Sequence, residues 1–413
     1  MKNKEELLQN DSFCMMPWVH MHIFPNGEVY PCCVWDAALS VGNYNEEISL
    51  LALWNSPSMK QLRLNMLSGK KSEGCSRCYE LERVKSLPTL RQTTNEYFLH
   101  HWDSVEKTES DGSLAEVKMN YLDIRFNNLC NLRCQTCCHE FSSSWYEDRL
   151  NLEADYSSPK VIQVNSGETF WNELNPLLKA TEHAYFAGGE PLICDEHYQV
   201  LDLWLQNDMT DVAIMYQTNF SLLSHKKLKV LDYWKKFNNV TVLASLDDSG
   251  PRAEYLRKGT DWDLIVRNRE QLKEACPEVK FLLTPTISLY NVYHFPEFHL
   301  DWVKKGFVKP NDFRVNILSQ PNYMSVKVIP EKKRHLIVDR YKSYQEEIIK
   351  VAIERDLKYH DVQSNYDSVI NFMNSGDDSH LLNEFFNWHK RIDLIRDEKL
   401  FETFPELREI LLV

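Results

Sequence analysis

The chain contains no apolar run approaching the roughly 20 residues that a membrane-spanning helix needs. Its opening residues, MKNKEELL, lack the apolar core of a secretory signal. An excess of positive charge is also missing. Lys and Arg number 47 against 60 Asp and Glu, a formal net charge of −13, which argues against broad non-specific binding to nucleic acid or to an anionic membrane. No internal repeat is visible. These absences set the expectation of a cytoplasmic protein with neither membrane nor nucleic-acid partner.

At 413 residues the chain is long enough for two or three domains and a sizeable core. Its hydrophobic content of 43% and charged content of 26% are ordinary for a globular protein. The distribution of the 11 cysteines is not ordinary, because nine of them precede residue 140 and seven of those form spaced groups. Core filling would scatter them, and a chain without a secretory signal does not call for a disulfide framework. Metal or cluster ligation is the better reading.

The pattern divides the chain into four stretches. Residues 11–83 form a unit rich in Cys, Trp, Pro and Gly, with a hairpin in which Asn26-Gly27 joins the apolar runs 19–24 and 28–30. Leu50, Leu53, Trp54, Met59, Leu62 and Met66 follow at helical spacing. Residues 84–118 are polar and read as a linker. From 119 to 320 strand candidates (121–127, 183–187, 212–217, 240–246, 280–288, 313–318) alternate with helical stretches such as 225–237 and 263–275. Six strands alternating with helices imply an α/β fold with a parallel sheet. Residues 330–413 read as a helical tail.

Chemistry concentrates in Cys130, Cys134 and Cys137, spaced C-x3-C-x2-C after the first strand of the alternating region. Three close thiolates can grip three irons of a [4Fe–4S] cluster and leave the fourth iron open. Gly188, Gly189, Glu190 and Pro191 stand after the second strand, where residues without Cβ atoms let the main chain approach a ligand. Gln217-Thr218-Asn219 ends the third strand and Ser245-Leu246-Asp247 the fourth, and Arg257 lies beyond. This ordered set resembles the radical S-adenosylmethionine superfamily. The resemblance implies a partial (β/α)6 barrel whose three cysteines hold a [4Fe–4S] cluster. The open iron would chelate S-adenosylmethionine, whose reductive cleavage begins hydrogen abstraction. It further implies that Gly188, Gly189, Glu190, Pro191, Asn219, Ser245 and Arg257 contact that cofactor, with Arg257 suited to its carboxylate. Relatives usually place an aromatic residue just before the last cluster cysteine and a glycine after the Ser-x-Asp. Here those positions hold Thr136 and Asp248.

Cys14, the Pro31-Cys32-Cys33 segment and the Cys75-x2-Cys78 pair resemble a SPASM or twitch domain, which binds auxiliary [4Fe–4S] clusters. Such modules normally follow the barrel, and here the unit precedes it. Cys14, Cys32, Cys75 and Cys78 would close one cluster, with structural zinc as the alternative occupant and Cys33 as the alternative to Cys32. His20 and His22 share one strand face and read as surface or core histidines before ligands. Cys138 reads as a buried small residue before a fourth ligand, and Cys194 and Cys276 as structural. The expected protein is a radical enzyme acting on a peptide or small metabolite, served by a low-potential donor of flavodoxin or ferredoxin type. An electron-transfer or metal-sensing protein that merely holds clusters is the alternative.

Overall fold

The computed structural model describes residues 4–45, 47–83 and 89–412. The fold is mixed α/β, and its main sheet has eight strands. In chain order these are β1 (His20–Ile23), β2 (Glu28–Tyr30), β3 (Gly42–Asn43), β4 (Tyr121–Ile124), β5 (His183–Phe186), β6 (Ala213–Thr218), β7 (Asn239–Ala244) and β8 (Lys280–Leu283). Their order across the sheet is β8-β7-β6-β5-β4-β1-β2-β3. The chain divides into two compact units, one of residues 1–128, 161–215 and 236–239, the other of 129–160, 216–235 and 240–413. No helix among the described residues is long and apolar enough to cross a membrane.

In the first unit the expected hairpin forms, with His22 opposite Tyr30 and Ile23 opposite Val29. Gly27 supplies the turn at φ +83°, where an added Cβ would stand 2.8 Å from the Tyr44 carbonyl oxygen. The other edge of β1 pairs in parallel with β4, aligning His20 with Tyr121 and His22 with Asp123. The cysteine-rich segment therefore adds strands to the sheet that holds 121–124 and 183–186, and is not a separate body ending at residue 83. Helices Glu168–Leu178 and Asp195–Gln206 cover the Phe126 and Phe186 side, with Phe126 6.3 Å from Phe170 and Phe186 4.7 Å from His197.

The stretch expected to be a linker is largely helical. Its first five residues lie outside the described residues, but Leu90–Phe98 is a helix opened by a reciprocal Thr89–Gln92 capping box. Arg91 and Asn95 on this helix donate to the Phe13 carbonyl at 2.9 and 3.1 Å, and the Met15 N–H donates to Asn95 Oδ1 at 2.8 Å. Polar residues face polar backbone here, so the segment reads as irregular while packing as a strut. Helix Pro57–Ser68 is tied down by Arg63, which is fully buried and donates to the carbonyls of Pro17, Trp54 and Gly112.

In the second unit β7 pairs in parallel with β8, aligning Thr241 with Lys280 and Ala244 with Leu283. Strands Thr286–Ile287 and Asn316–Ile317 continue the parallel pattern. Helix Trp262–Ala275 is capped by Asp261, which accepts from the Leu264 N–H at 2.9 Å. Within 225–237 the helix covers only Val230–Trp234, preceded by a short hairpin of 224–225 with 228–229. Beyond residue 330 lie the helices Arg334–Glu354, His360–Asn374 and Leu382–Arg396.

Candidate functional site

The triplet lies on a loop held at both ends by hydrogen bonds. Arg133–Cys134 pairs antiparallel with Arg257–Lys258, and the Gln135 N–H donates to the Leu256 carbonyl at 2.8 Å. Trp145 Nε1 donates to the Cys134 carbonyl at 2.9 Å, and Ser144 Oγ to that of Cys130 at 2.6 Å. The thiols converge. Burial pushes the Cys137 thiol well above its ordinary range, and the neighbouring Cys134, Cys138 and Cys130 sulfurs raise it further. Burial also raises Cys134, against the pull of Arg257. Crowded, desolvated thiols of this kind become thiolates when a positive centre is shared among them. The donor set thus fits a cluster. Cys138, beside them, is pushed up to about 12 by burial and by a hydrogen bond to Glu140.

Polar groups from the strand ends reach two of the sulfurs. Asn219 Nδ2 lies 3.8 Å from Cys130 Sγ and 3.0 Å from Asn131 Oδ1. Arg257 Nη1 lies 3.5 Å from Cys134 Sγ. The rest of its guanidinium is engaged by Asp247, with Nε to Oδ2 at 2.8 Å and Nη2 to Oδ1 at 3.0 Å. The fork expected to meet a cofactor carboxylate is engaged by a carboxylate of the chain, and Nη1 is left toward the Cys134 sulfur. Ser245 Oγ accepts from Gln217 Nε2 at 2.6 Å.

The tail braces the same loop. Asp148 is buried and accepts from Arg133 Nη1 at 2.6 Å and from Arg396 Nε at 2.9 Å. Arg396 also stacks on Trp145, 4.6 Å from the ring centre. Arg133 stays on Asp148 when Arg396 is removed, so the loss is that of a hydrogen bond to a charged group, about 1.5–3 kcal/mol. Arg396→Leu is accordingly expected to lower unfolding free energy by about that amount in a denaturant titration.

Asp248 is 1% exposed. Its Oδ1 accepts from the Ser249 N–H at 2.8 Å, and its Oδ2 has no hydrogen-bond partner among the described residues. Burial pushes its pKa up to about 7. Between about pH 4 and 7 the folded chain then holds a proton that the unfolded chain has lost. The contribution is full below about pH 4 and is lost as pH rises through about 7, by up to about 4 kcal/mol. Asp248→Asn is expected to remove that slope and to be more stable than the parent at pH 8, as read from denaturation midpoints at pH 5 and 8.

In the first unit Gly188 has φ +125°, a backbone region that side-chain-bearing residues rarely adopt, and an added Cβ would stand 3.3 Å from Arg125 Cβ. Glu190 is buried and caps the Pro191–Ile193 turn, accepting from the Leu192 N–H at 3.1 Å. The Glu190 carboxylate is thus engaged by its own backbone. Cys194 and Cys276 are buried and bonded locally, Cys194 with Asn127 and Cys276 with the Leu231 carbonyl.

The auxiliary cysteines gather in the same unit. Cys14, Cys32, Cys75 and Cys78 line one cavity together with Trp35 and Arg91. Burial pushes all four thiols up, Cys75 to about 12, and each of Cys14, Cys32 and Cys75 is raised further by neighbouring sulfurs of the group. Cys33 faces away from this cavity. Its thiol is pushed up to about 12 by burial and then by Asp123, with which it shares a hydrogen bond. The cavity thus takes Cys32 rather than Cys33. Arg91, which the sequence reading passed over, puts a cation beside the thiols while Glu82 fixes its fork at 2.8 and 2.7 Å. The capping box was the available signal for it.

A second group that sequence reasoning underweighted lies on the paired strands β1 and β4. His20, His22 and Asp123 are each 0% exposed. Burial drives His20 down to about 4, against the pull of Asp123. Burial alone would raise the Asp123 carboxyl, and the His22 ring and the Arg125 guanidinium hold it below its ordinary range. The readable signal was the i, i+2 spacing of the histidines with an Asp on another strand.

Residues 14–79 match the family model of the SPASM domain, described as an iron–sulfur cluster-binding domain. That span contains Cys14, Cys32, Cys75 and Cys78. No curated protein sequence matches the chain. Among solved structures, native anSMEcpe with bound AdoMet and a Cp18Cys peptide is 17% identical, over 54% of this chain and 58% of that one, at a TM-score of 0.36. TYW1 with a lysine–pyruvate adduct bound is 14% identical, over 52% of this chain and 70% of that one, at a TM-score of 0.28. The chain thus spans 58% of the first of these structures. At such scores the overlap fixes neither fold nor activity.

Proposed function

We propose that the chain is a radical S-adenosylmethionine enzyme with an auxiliary iron–sulfur site, built on a partial (β/α)6 barrel. The observation that carries this reading is the Cys130–Cys134–Cys137 loop, whose thiols converge under polar contact from Asn219 and Arg257. When bound, the [4Fe–4S] cluster and S-adenosylmethionine supply one-electron cleavage of a sulfonium and abstraction of hydrogen from an unreactive C–H bond. Cys130, Cys134 and Cys137 would hold the cluster and leave one iron free of protein. The chain's own residues position and tune these groups.

Arg257 holds positive charge at Cys134, and Asp247 keeps the guanidinium in place. Asn219 donates toward Cys130, which stabilises the thiolate form. Trp145 and Ser144 pin the loop carbonyls so that the sulfurs keep their spacing. Cys14, Cys32, Cys75 and Cys78 supply four thiolates, enough to close a second cluster, and the SPASM match favours a cluster over zinc there. The substrate class we assign is a peptide or small metabolite, with a flavodoxin- or ferredoxin-type donor, in a cytosol that keeps the thiols reduced.

The test is anaerobic reconstitution followed by reduction in the presence of S-adenosylmethionine. Formation of 5'-deoxyadenosine by protein carrying roughly eight irons per chain is the expected result. A fully loaded protein that yields none would instead be a passive cluster carrier.

A further inference from the structure

The buried His20, His22 and Asp123 are left out of both cysteine sites, and both histidines end in an unpaired ring nitrogen. His20 Nδ1 lies 2.9 Å from the Tyr121 carbonyl oxygen, and His22 Nδ1 lies 2.9 Å from that of Asp123. A carbonyl only accepts, so both Nδ1 atoms carry the proton and both Nε2 atoms present a lone pair. Neither Nε2 has a hydrogen-bond partner among the described residues, whereas Asp123 Oδ2 lies 3.1 Å from the protonated His22 Nδ1. Leaving one such group unpaired in the interior costs about 1–3 kcal/mol, so two such nitrogens beside a buried carboxylate on one sheet face call for a ligand.

The backbone explains why they meet. Parallel pairing sets His20 beside Tyr121 and His22 beside Asp123, and alternation puts both histidines and Asp123 on one face. Potential ligand atoms of the three residues lie within 4.8 Å of one another. Arg125 approaches the other carboxylate oxygen, Oδ1, at 3.5 Å. Tyr121 packs on the His20 ring with centroids 4.8 Å apart, and Cys33 shares a hydrogen bond with the carboxylate.

From these observations we propose a third metal site, in which His20 Nε2, His22 Nε2 and Asp123 Oδ2 bind one divalent first-row ion of the zinc or ferrous type. Imidazole donors select against magnesium and calcium, which prefer all-oxygen sets. The Nδ1–H bonds to main-chain carbonyls are the outer contacts that fix the tautomer and orientation of a metal-binding histidine. Cys33, beside Asp123, is the nearest further donor. The site stands on its own residues and does not depend on the radical reading.

The wild-type protein is reconstituted with iron and sulfide, titrated with Zn²⁺, desalted, and assayed for zinc, iron and acid-labile sulfide. The expected result is about one zinc per chain with a zinc-edge X-ray absorption spectrum showing imidazole scattering from two histidines. Loaded with ferrous ion instead, the protein should carry about one iron more than its sulfide accounts for. The double variant His20→Asn, His22→Asn should lose at least nine-tenths of the extra metal while its sulfide content stays unchanged. Zinc ligated by sulfur alone, no bound extra metal of either kind, or undiminished binding in the double variant would overturn the proposal. Should the double variant lose its sulfide as well, the wild-type absorption spectrum decides, since it needs no variant to fold.

Discussion

Cys134→Ala is expected to remove about four of roughly eight irons per chain and to abolish formation of 5'-deoxyadenosine. Cys134 is the most enclosed of the three thiols and the one that Arg257 addresses. Two remaining thiols cannot hold a cube with one open iron, so the effect is a loss and not a graded decline. The loop itself should survive, because its backbone pairing with Arg257–Lys258 and the Trp145 bond to the Cys134 carbonyl do not use the side chain. Iron and sulfide counts together with chromatography of the nucleoside product check this. Full product formation by the variant would place the open cluster elsewhere.

The second large effect separates two adjacent cysteines. Cys32→Ala is expected to lose about four irons from the auxiliary site, whereas Cys33→Ala should keep them. Cys32 lines the cavity with Cys14, Cys75 and Cys78, and Cys33 points to Asp123. Iron and sulfide per chain after identical anaerobic loading read the difference directly. Equal iron in the two variants would mean that the cavity does not choose between them. Zinc in place of iron, lost only from Cys32→Ala, would keep the ligand set and change its occupant.

Much of this architecture was legible because local signals and global pairing agree. Asn26-Gly27 between apolar runs gave the hairpin, and each of the six strand candidates contains strand residues in the structure. What could not be read was non-local. Nothing in 19–24 announces parallel pairing with 121–124, a contact bridging about 100 residues, so the cysteine-rich segment looked like a separate domain. Helix Leu90–Phe98 was missed because its buried face includes Thr94 and its anchors are Arg91 and Asn95, which leaves a weak apolar stripe. The hairpin before Val230 was missed because the Leu228, Leu231 and Trp234 spacing suits a helix, while Lys226 turns the chain at φ +54°.

The candidate sites divide along the same line. Spacing alone identified the triplet and the Cys75–Cys78 pair. Partners were another matter, since spacing cannot show that Asp247 fills the Arg257 fork or that Glu190 caps its own turn. Nor can one sequence show that Cys32 and Cys33 face different neighbours, because they sit in a turn closed by the Trp35 N–H on the Cys32 carbonyl, where strand alternation gives no guide. The histidines of β1 gained weight only when their burial and their unpaired nitrogens were visible.

The central claim is that the Cys130–Cys134–Cys137 loop holds a cluster with an iron open to S-adenosylmethionine. It is tested most directly by electron paramagnetic resonance of the reduced protein, recorded with and without that cofactor. The account predicts a reduced-cluster signal that changes on addition of S-adenosylmethionine in the parent and in Cys32→Ala, and no responsive signal in Cys134→Ala. A parent spectrum that the cofactor leaves unchanged, with the cluster fully loaded and reduced, would contradict it.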